Sequence, residues 1–239
     1  MRHVLAILLC LSFCSCLPQT LTGPESAMQP SPFYLKSFPQ QSLSLLSGSV
    51  TQGILQEAWF FKPGLVENSF FLNLAWNQTL AEVYLNPEIT LLAAILKEDR
   101  RLFGWEAEVN VAKHLGQQDH VEINALLLAR WHVFIWDKWL DMSIAMGEGL
   151  SYASSIPKIE AERWLYTNQL LNYMLYEMTF GLDLKALGPT PLSSPHLQAP
   201  HLKAIDFVMR IHHRSGVYGT FNGVTGASNV ANFGLRFSF

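Results

Sequence analysis

Beyond residue 40 the chain repeats one pattern: apolar side chains at every second position, polar or small ones between them, in runs of about 10 residues separated by turn formers. In "GWEAEVNVAKHLG", Trp105, Ala107, Val109 and Val111 share one face, and Glu106, Glu108 and Asn110 share the other. After the polar turn "GQQDH" the run "VEINALLLARWHV" sets Val121, Ile123, Ala125, Leu127, Ala129, Trp131 and Val133 against Glu122, Asn124, Arg130 and His132. The run "LDMSIAMGEGLSYAS" sets Leu140, Met142, Ile144, Met146, Leu150 and Tyr152 against Asp141, Ser143, Ala145, Gly147, Gly149 and Ser151, with Glu148 alone on the apolar side. "FFLNLAWN" (residues 70–77) and the closing run from Ala231 to Phe239 alternate the same way, and the chain ends on an aromatic residue. Residues 42–53 and 170–183 alternate less cleanly, and "AIDFVMRIHHRSG" completes a set of eight strands.

Strands of this length with an apolar outer face and an acid- and amide-bearing inner face fit a closed barrel surrounded by hydrocarbon, in which every backbone group pairs within the wall. No stretch after the leader is apolar for the roughly 20 residues a spanning helix needs. The fold expected is therefore all-β, an eight-stranded antiparallel transmembrane β-barrel over residues 41–239, with Glu106, Glu108, Glu122, Arg130, Arg210 and Arg236 paired inside it. Several of the seven tryptophans fall near strand ends (Trp76, Trp105, Trp131, Trp136, Trp139), as interfacial girdles require. The alternative fold is a secreted soluble α+β domain, because "PKIEAERWLYTNQLLNYMLYEM" also reads as an amphipathic helix.

The start, "MRHVLAILLCLSFCSC", has a basic residue, a short apolar run and small residues, which is the layout of an export signal over residues 1–16. All three cysteines lie in it, so the exported part relies on no disulfide. Cys16 after Ser15 permits lipoprotein-type processing as the alternative to ordinary cleavage. Residues 17–40, rich in Ser, Pro and Gln, read as a flexible segment. Net charge is −3 with charged residues at 15%, and no block of like charge occurs, which excludes nucleic acid as a partner.

Candidate chemistry gathers near the carboxyl end. Alternation puts Phe207, Met209, Ile211, His213 and Ser215 on one face of their strand and Asp206, Arg210, His212 and Arg214 on the other. His213 and Ser215 are then outward neighbours, and Asn229, with the parity of Phe233, shares their side on the last strand. A serine, a histidine to take its proton and a polar group to orient the histidine are the skeleton of nucleophilic acyl transfer. The adjacent His212 and His213 point to opposite faces, and His114 and His120 flank a turn where solvated histidines are the expected reading. No metal or other cofactor is expected. Asn77 in "NQT" lies on a strand, where it is no glycosylation acceptor, and Gly223 and Gly226 read as turn formers.

The eight-strand pattern, the outward His-x-Ser of "RIHHRSG", the tracts "GQQDHVEINALLLARW" and "GEGLSYAS", and the aromatic end together resemble the outer-membrane lipid A 3-O-deacylases over roughly residues 105–239. The resemblance implies a bacterial outer-membrane location, lipid A or lipopolysaccharide as partner, and hydrolysis of an ester-linked acyl chain by Ser215 with His213 as general base. Two positions depart from the family. Its orienting glutamate on the last strand corresponds here to Asn229 or a neighbour, none of them acidic, with Glu148 two strands away as a substitute. The asparagine that follows its serine is Gly216, whose backbone N–H is the oxyanion-donor candidate. The alternative function is a non-catalytic barrel that binds lipopolysaccharide or strengthens the envelope.

Overall fold

The computed structural model describes residues 33–36, 40–52, 55, 64–85, 101–136, 139–164, 166–182 and 202–239, so residues 1–16, read from sequence as an export signal, lie outside the described residues. Its strands are β1 (Phe33–Lys36), β2 (Gln41–Val50), β3 (Ser69–Leu85), β4 (Arg101–Gly116), β5 (His120–Trp131), β6 (Met142–Ala153), β7 (Leu170–Gly181), β8 (Ala204–Ser215) and β9 (Ala227–Ser238). A helix, α1 (Lys158–Arg163), lies between β6 and β7. From β2 to β9 each strand pairs antiparallel with its neighbour in sequence, and β2 also pairs with β9. The result is an all-β, closed, eight-stranded antiparallel barrel. The short β1 falls within the segment read as flexible from sequence and adds to the far end of β3, Phe33 opposite Leu85. The stretch read alternatively as one amphipathic helix divides: residues 158–163 are helical, and residues 170–181 enter the barrel wall as β7.

Side chains sort by parity as the alternation requires. Leu72, Leu74, Val109, Val111, Ile123, Leu127, Met146 and Leu150 are exposed on the outer face, while Asn73, Glu106, Glu108, Asn110, Glu122, Asn124, Arg130, Glu177 and Arg210 are buried inside. Outward positions of β4 from Trp105 to Leu115 cover about 25 Å along the axis at the usual strand tilt of about 40°, the height of an outer-membrane hydrocarbon band. Aromatic side chains mark both rims. Trp105, Trp131, Trp136 and Trp139 are exposed at the end where β2 begins and β9 ends, and Tyr152, Trp164, Tyr166 and Tyr218 at the other. At this second rim the exposed Lys113 donates to Asp119 in the β4–β5 turn, which holds that carboxyl below its usual range.

The interior is filled, not open. Glu177 accepts from Arg130 (2.7 Å) and Arg210 (2.8 Å), Arg210 also reaches Glu108 (2.8 Å), and Glu106 accepts from Arg130 (2.7 Å) and Arg236 (3.1 Å). Charges this deep persist only when paired, so the network holds opposing walls in one register. Beside it Leu126, Leu128, Ala145, Tyr173 and Leu175 form an apolar cluster. Their room comes from β6: a Cβ on Gly147 would stand 2.8 Å from Leu126 Cδ1 and 2.9 Å from Leu128 Cγ, so glycine there lets large β5 side chains lie across the lumen. Helix α1 closes the end where β2 finishes and β9 starts. Its Ile159 packs with Val50, Phe71, Ala112 and Val230, and its Glu160 accepts from Arg214 on β8 and from Ser228 on β9.

Candidate functional site

The pleat of β8 turns Arg210, His212 and Arg214 inward, where each meets an acid: Glu108 and Glu177, Glu122, and Glu160 respectively. His213 and Ser215 consequently take the outer parity. Their strand partners are Met174 and Asn172 on β7 and Asn229 and Ala227 on β9. His213 Nδ1 and Asn229 Oδ1 are 2.6 Å apart. An amide oxygen can only accept, so Nδ1 carries the proton and donates, and Nε2 is left with a lone pair that can take one. Asn229 thus stands in the orienting place, and Glu148, the acid on the outer face, is engaged with a different side chain. Its carboxylate accepts from Asn172 Nδ2 at 3.1 Å, and Asn172 is the cross-strand partner of Ser215.

Together these side chains form a polar seam, Glu148, Asn172, Ser215, His213 and Asn229, running across β6 to β9 on a face that is otherwise apolar. Asn172 was missed by sequence reasoning. Its parity with Met174 and Tyr176 is the same misfit signal that singled out Glu148, but the irregular alternation of β7 concealed it. Although outward by parity, His213, Ser215 and Asn229 are each under a tenth exposed, as are Ile211 and Asn172. Of the expected hydrocarbon-facing row, only Phe207 and Met209 remain open to the surroundings. The segment between β8 and β9 folds back at this end, with Trp164 Nε1 donating to Ala227 O (3.1 Å) and Asn222 Nδ2 to Leu170 O (2.9 Å).

Two expectations require correction. Gly216 N–H donates to Gly226 O at 3.0 Å, so the ladder consumes the proposed oxyanion donor. His114 and His120 are 3% exposed and face the lumen; they are buried polar groups and not solvated turn residues. The short turn between β4 and β5 keeps both positions within the wall, His114 opposite His120. Asn77 likewise points inward, donating to Glu108 at 2.8 Å, which agrees with its reading as no glycosylation acceptor. Among the described residues, no hydrogen bond joins His213 to Ser215; the Ser215 hydroxyl accepts from Val217 N–H at 3.4 Å. Below the seam an apolar trough of about 450 Å³, counting its open side, is lined by Tyr176, Met178, Met209, Ile211, Ala231 and Phe233. Ile211 and Ala231 lie one outward step from His213 and Asn229 on the same strands.

No protein-family model matches the chain, and no curated protein matches it. Among solved structures it is similar to neisserial surface protein A, at 11% identity and a TM-score of 0.34, over 87% of this chain and 98% of that one. Residue roles here therefore rest on this chain's own geometry.

Proposed function

We propose that the chain is a bacterial outer-membrane barrel that hydrolyses an ester-linked acyl chain of lipid A from its outward face. The observation that carries the reading is the 2.6 Å contact of His213 Nδ1 with Asn229 Oδ1, which leaves Nε2 as the proton-accepting nitrogen of a histidine that shares its strand face with Ser215 two residues on. Ser215 Oγ adds to the ester carbonyl carbon while His213 Nε2 takes its proton. Collapse of the adduct expels the sugar oxygen, which receives that proton, and water then releases the fatty acid by the same steps in reverse. The trough beneath the seam is apolar and opens to the side, as an acyl chain entering from a leaflet requires. A carboxylate in the middle of the outer face, Glu148, costs free energy wherever hydrocarbon surrounds it, and such residues ordinarily mark a functional site.

The apolar band and paired rims of aromatic residues support the membrane location. In a Gram-negative host, expression is expected to shorten lipid A by one acyl chain, read by mass spectrometry, and Ser215→Ala is expected to abolish the change. Unaltered lipid A in the presence of a correctly folded wild-type barrel contradicts the proposal. A second reading, a barrel that binds lipopolysaccharide without cleaving it, is favoured by two observations: the absent His213–Ser215 hydrogen bond among the described residues, and the engaged Gly216 N–H. Hydrogen bonds of catalytic groups often tighten only once substrate is bound, which is why the esterase is placed first.

A further inference from the structure

A second cluster occupies the lumen, on the side of the wall away from the seam. His114 and His120 pair across β4 and β5, their rings stacked with centroids 4.1 Å apart and planes 13° from parallel. Both Nε2 atoms face Glu122 Oε1, at 3.3 Å and 3.1 Å, and His212 Nε2 on β8 stands 2.8 Å from Glu122 Oε2. All four residues are 3% exposed or less. Three imidazoles and one carboxylate converge from three strands on a volume closed by the edge of Phe71, against His114 at 4.9 Å and His212 at 5.1 Å, and by Tyr173 against His212 at 4.5 Å.

We infer that His114, His120, His212 and Glu122 form a binding site for a divalent transition-metal ion, of the zinc or cobalt kind, inside the barrel. Nitrogen and carboxylate donors in this ratio suit such an ion, and the carboxylate supplies charge to offset it. A tetrahedral ion with bonds of about 2.0–2.1 Å holds its donor atoms about 3.4 Å apart, close to the 3.3, 3.1 and 2.8 Å that separate the three Nε2 atoms from the Glu122 oxygens. The ligand atoms of His114, His120 and Glu122 all lie within 4.8 Å of one another and form the core of the site, and His212 joins it from the far side of the carboxylate, through Glu122 Oε2. Hydrogen bonding within the cluster does not account for it. His114, though buried, has neither ring nitrogen in a hydrogen bond, and His212 Nδ1 is likewise unpartnered. Leaving such a nitrogen dry and unbonded is costly, and coordination through His114 Nε2 removes that cost at the nitrogen that faces the cluster. Glu122 fits as the anchor: His120 and His212 Nε2–H already donate to its two oxygens, and an ion that replaces those hydrogens sends the Nε2 protons to solvent.

This site does not depend on the proposed esterase, because its ligands face the lumen. The test uses the untagged exported chain, folded in detergent micelles and stripped with chelator, then titrated with Co²⁺ and, separately, Zn²⁺. One ion per chain is expected, with the intense visible absorption of tetrahedral Co²⁺ and a rise in the unfolding temperature on Zn²⁺ addition. His114→Gln and His212→Gln are each expected to weaken binding at least about tenfold, with the barrel's circular dichroism unchanged. Should either variant fail to fold, the wild-type Co²⁺ spectrum decides alone, since octahedral cobalt absorbs only weakly. Absence of stoichiometric binding, a weak octahedral spectrum, or unchanged affinity in folded His114→Gln overturns the assignment.

Discussion

His212 and His213 are adjacent in the chain and live in different chemistry. His212 points into a lumen where Glu122 accepts from it, next to a network in which three arginines share Glu106, Glu108 and Glu177. His213 points outward to an amide, Asn229, and among the described residues it forms no ion pair. The period of the strand alone produces this contrast, because successive residues alternate faces. The inner face ties charge to charge to hold the walls in place. On the outer face, His213 and Ser215 stand two residues apart above an apolar trough.

The contrast should be widest in stability. Glu177→Leu strips a shared partner from buried Arg130 and Arg210 and is expected to destabilise the barrel by about 3–5 kcal/mol in urea unfolding from lipid vesicles. The matching outward change, Glu148→Leu, removes an acid from the apolar face and is expected to raise stability by up to about 1 kcal/mol. Equal losses from the two would erase the distinction between the faces. A smaller effect is expected in turnover. Asn229→Asp places a carboxylate against His213 Nδ1–H, where it stabilises the imidazolium formed when Ser215 gives up its proton. The rate of lipid A deacylation is expected to rise about tenfold, equivalent to about 1.4 kcal/mol in the barrier. A rate unchanged or lowered by Asn229→Asp in a folded barrel would show that Asn229 does not orient the base.

Alternation made the wall legible in the sequence. The acids and arginines at even positions of β4, β5 and β8 and the outward parity of His213, Ser215 and Asn229 all follow from a period of two, and the structure has them so. What alternation could not supply was distance between strands. It left open whether Asn229 or Glu148 faces His213, and only the β8–β9 register, with His213 opposite Asn229, brings the amide to the ring. For the same reason the luminal histidine cluster was hidden. His114 and His120 sit beside a turn of glycine, glutamines and aspartate, a composition that signals solvent, while their burial depends on the facing wall and on Phe71, which is remote in sequence. Gly216 was misread because a backbone donor's availability depends on its ladder partner, here Gly226, and no local pattern reports that. Helix α1 emerged from a stretch whose helical and strand periodicities overlap, and its role as a plug comes from Ile159 and Glu160 meeting residues of other strands.

The central claim, a barrel with hydrocarbon outside and a closed polar lumen, can be read most directly from β5, where exposure alternates cleanly. Single cysteines carrying a nitroxide label at positions 122–131, in a barrel reconstituted in a bilayer, should show strong oxygen collision and weak collision with a water-soluble nickel complex at Ile123, Ala125, Leu127 and Ala129. Little of either is expected at Asn124, Leu126, Leu128 and Arg130. High nickel access at the odd positions, or no period of two at all, would contradict the account.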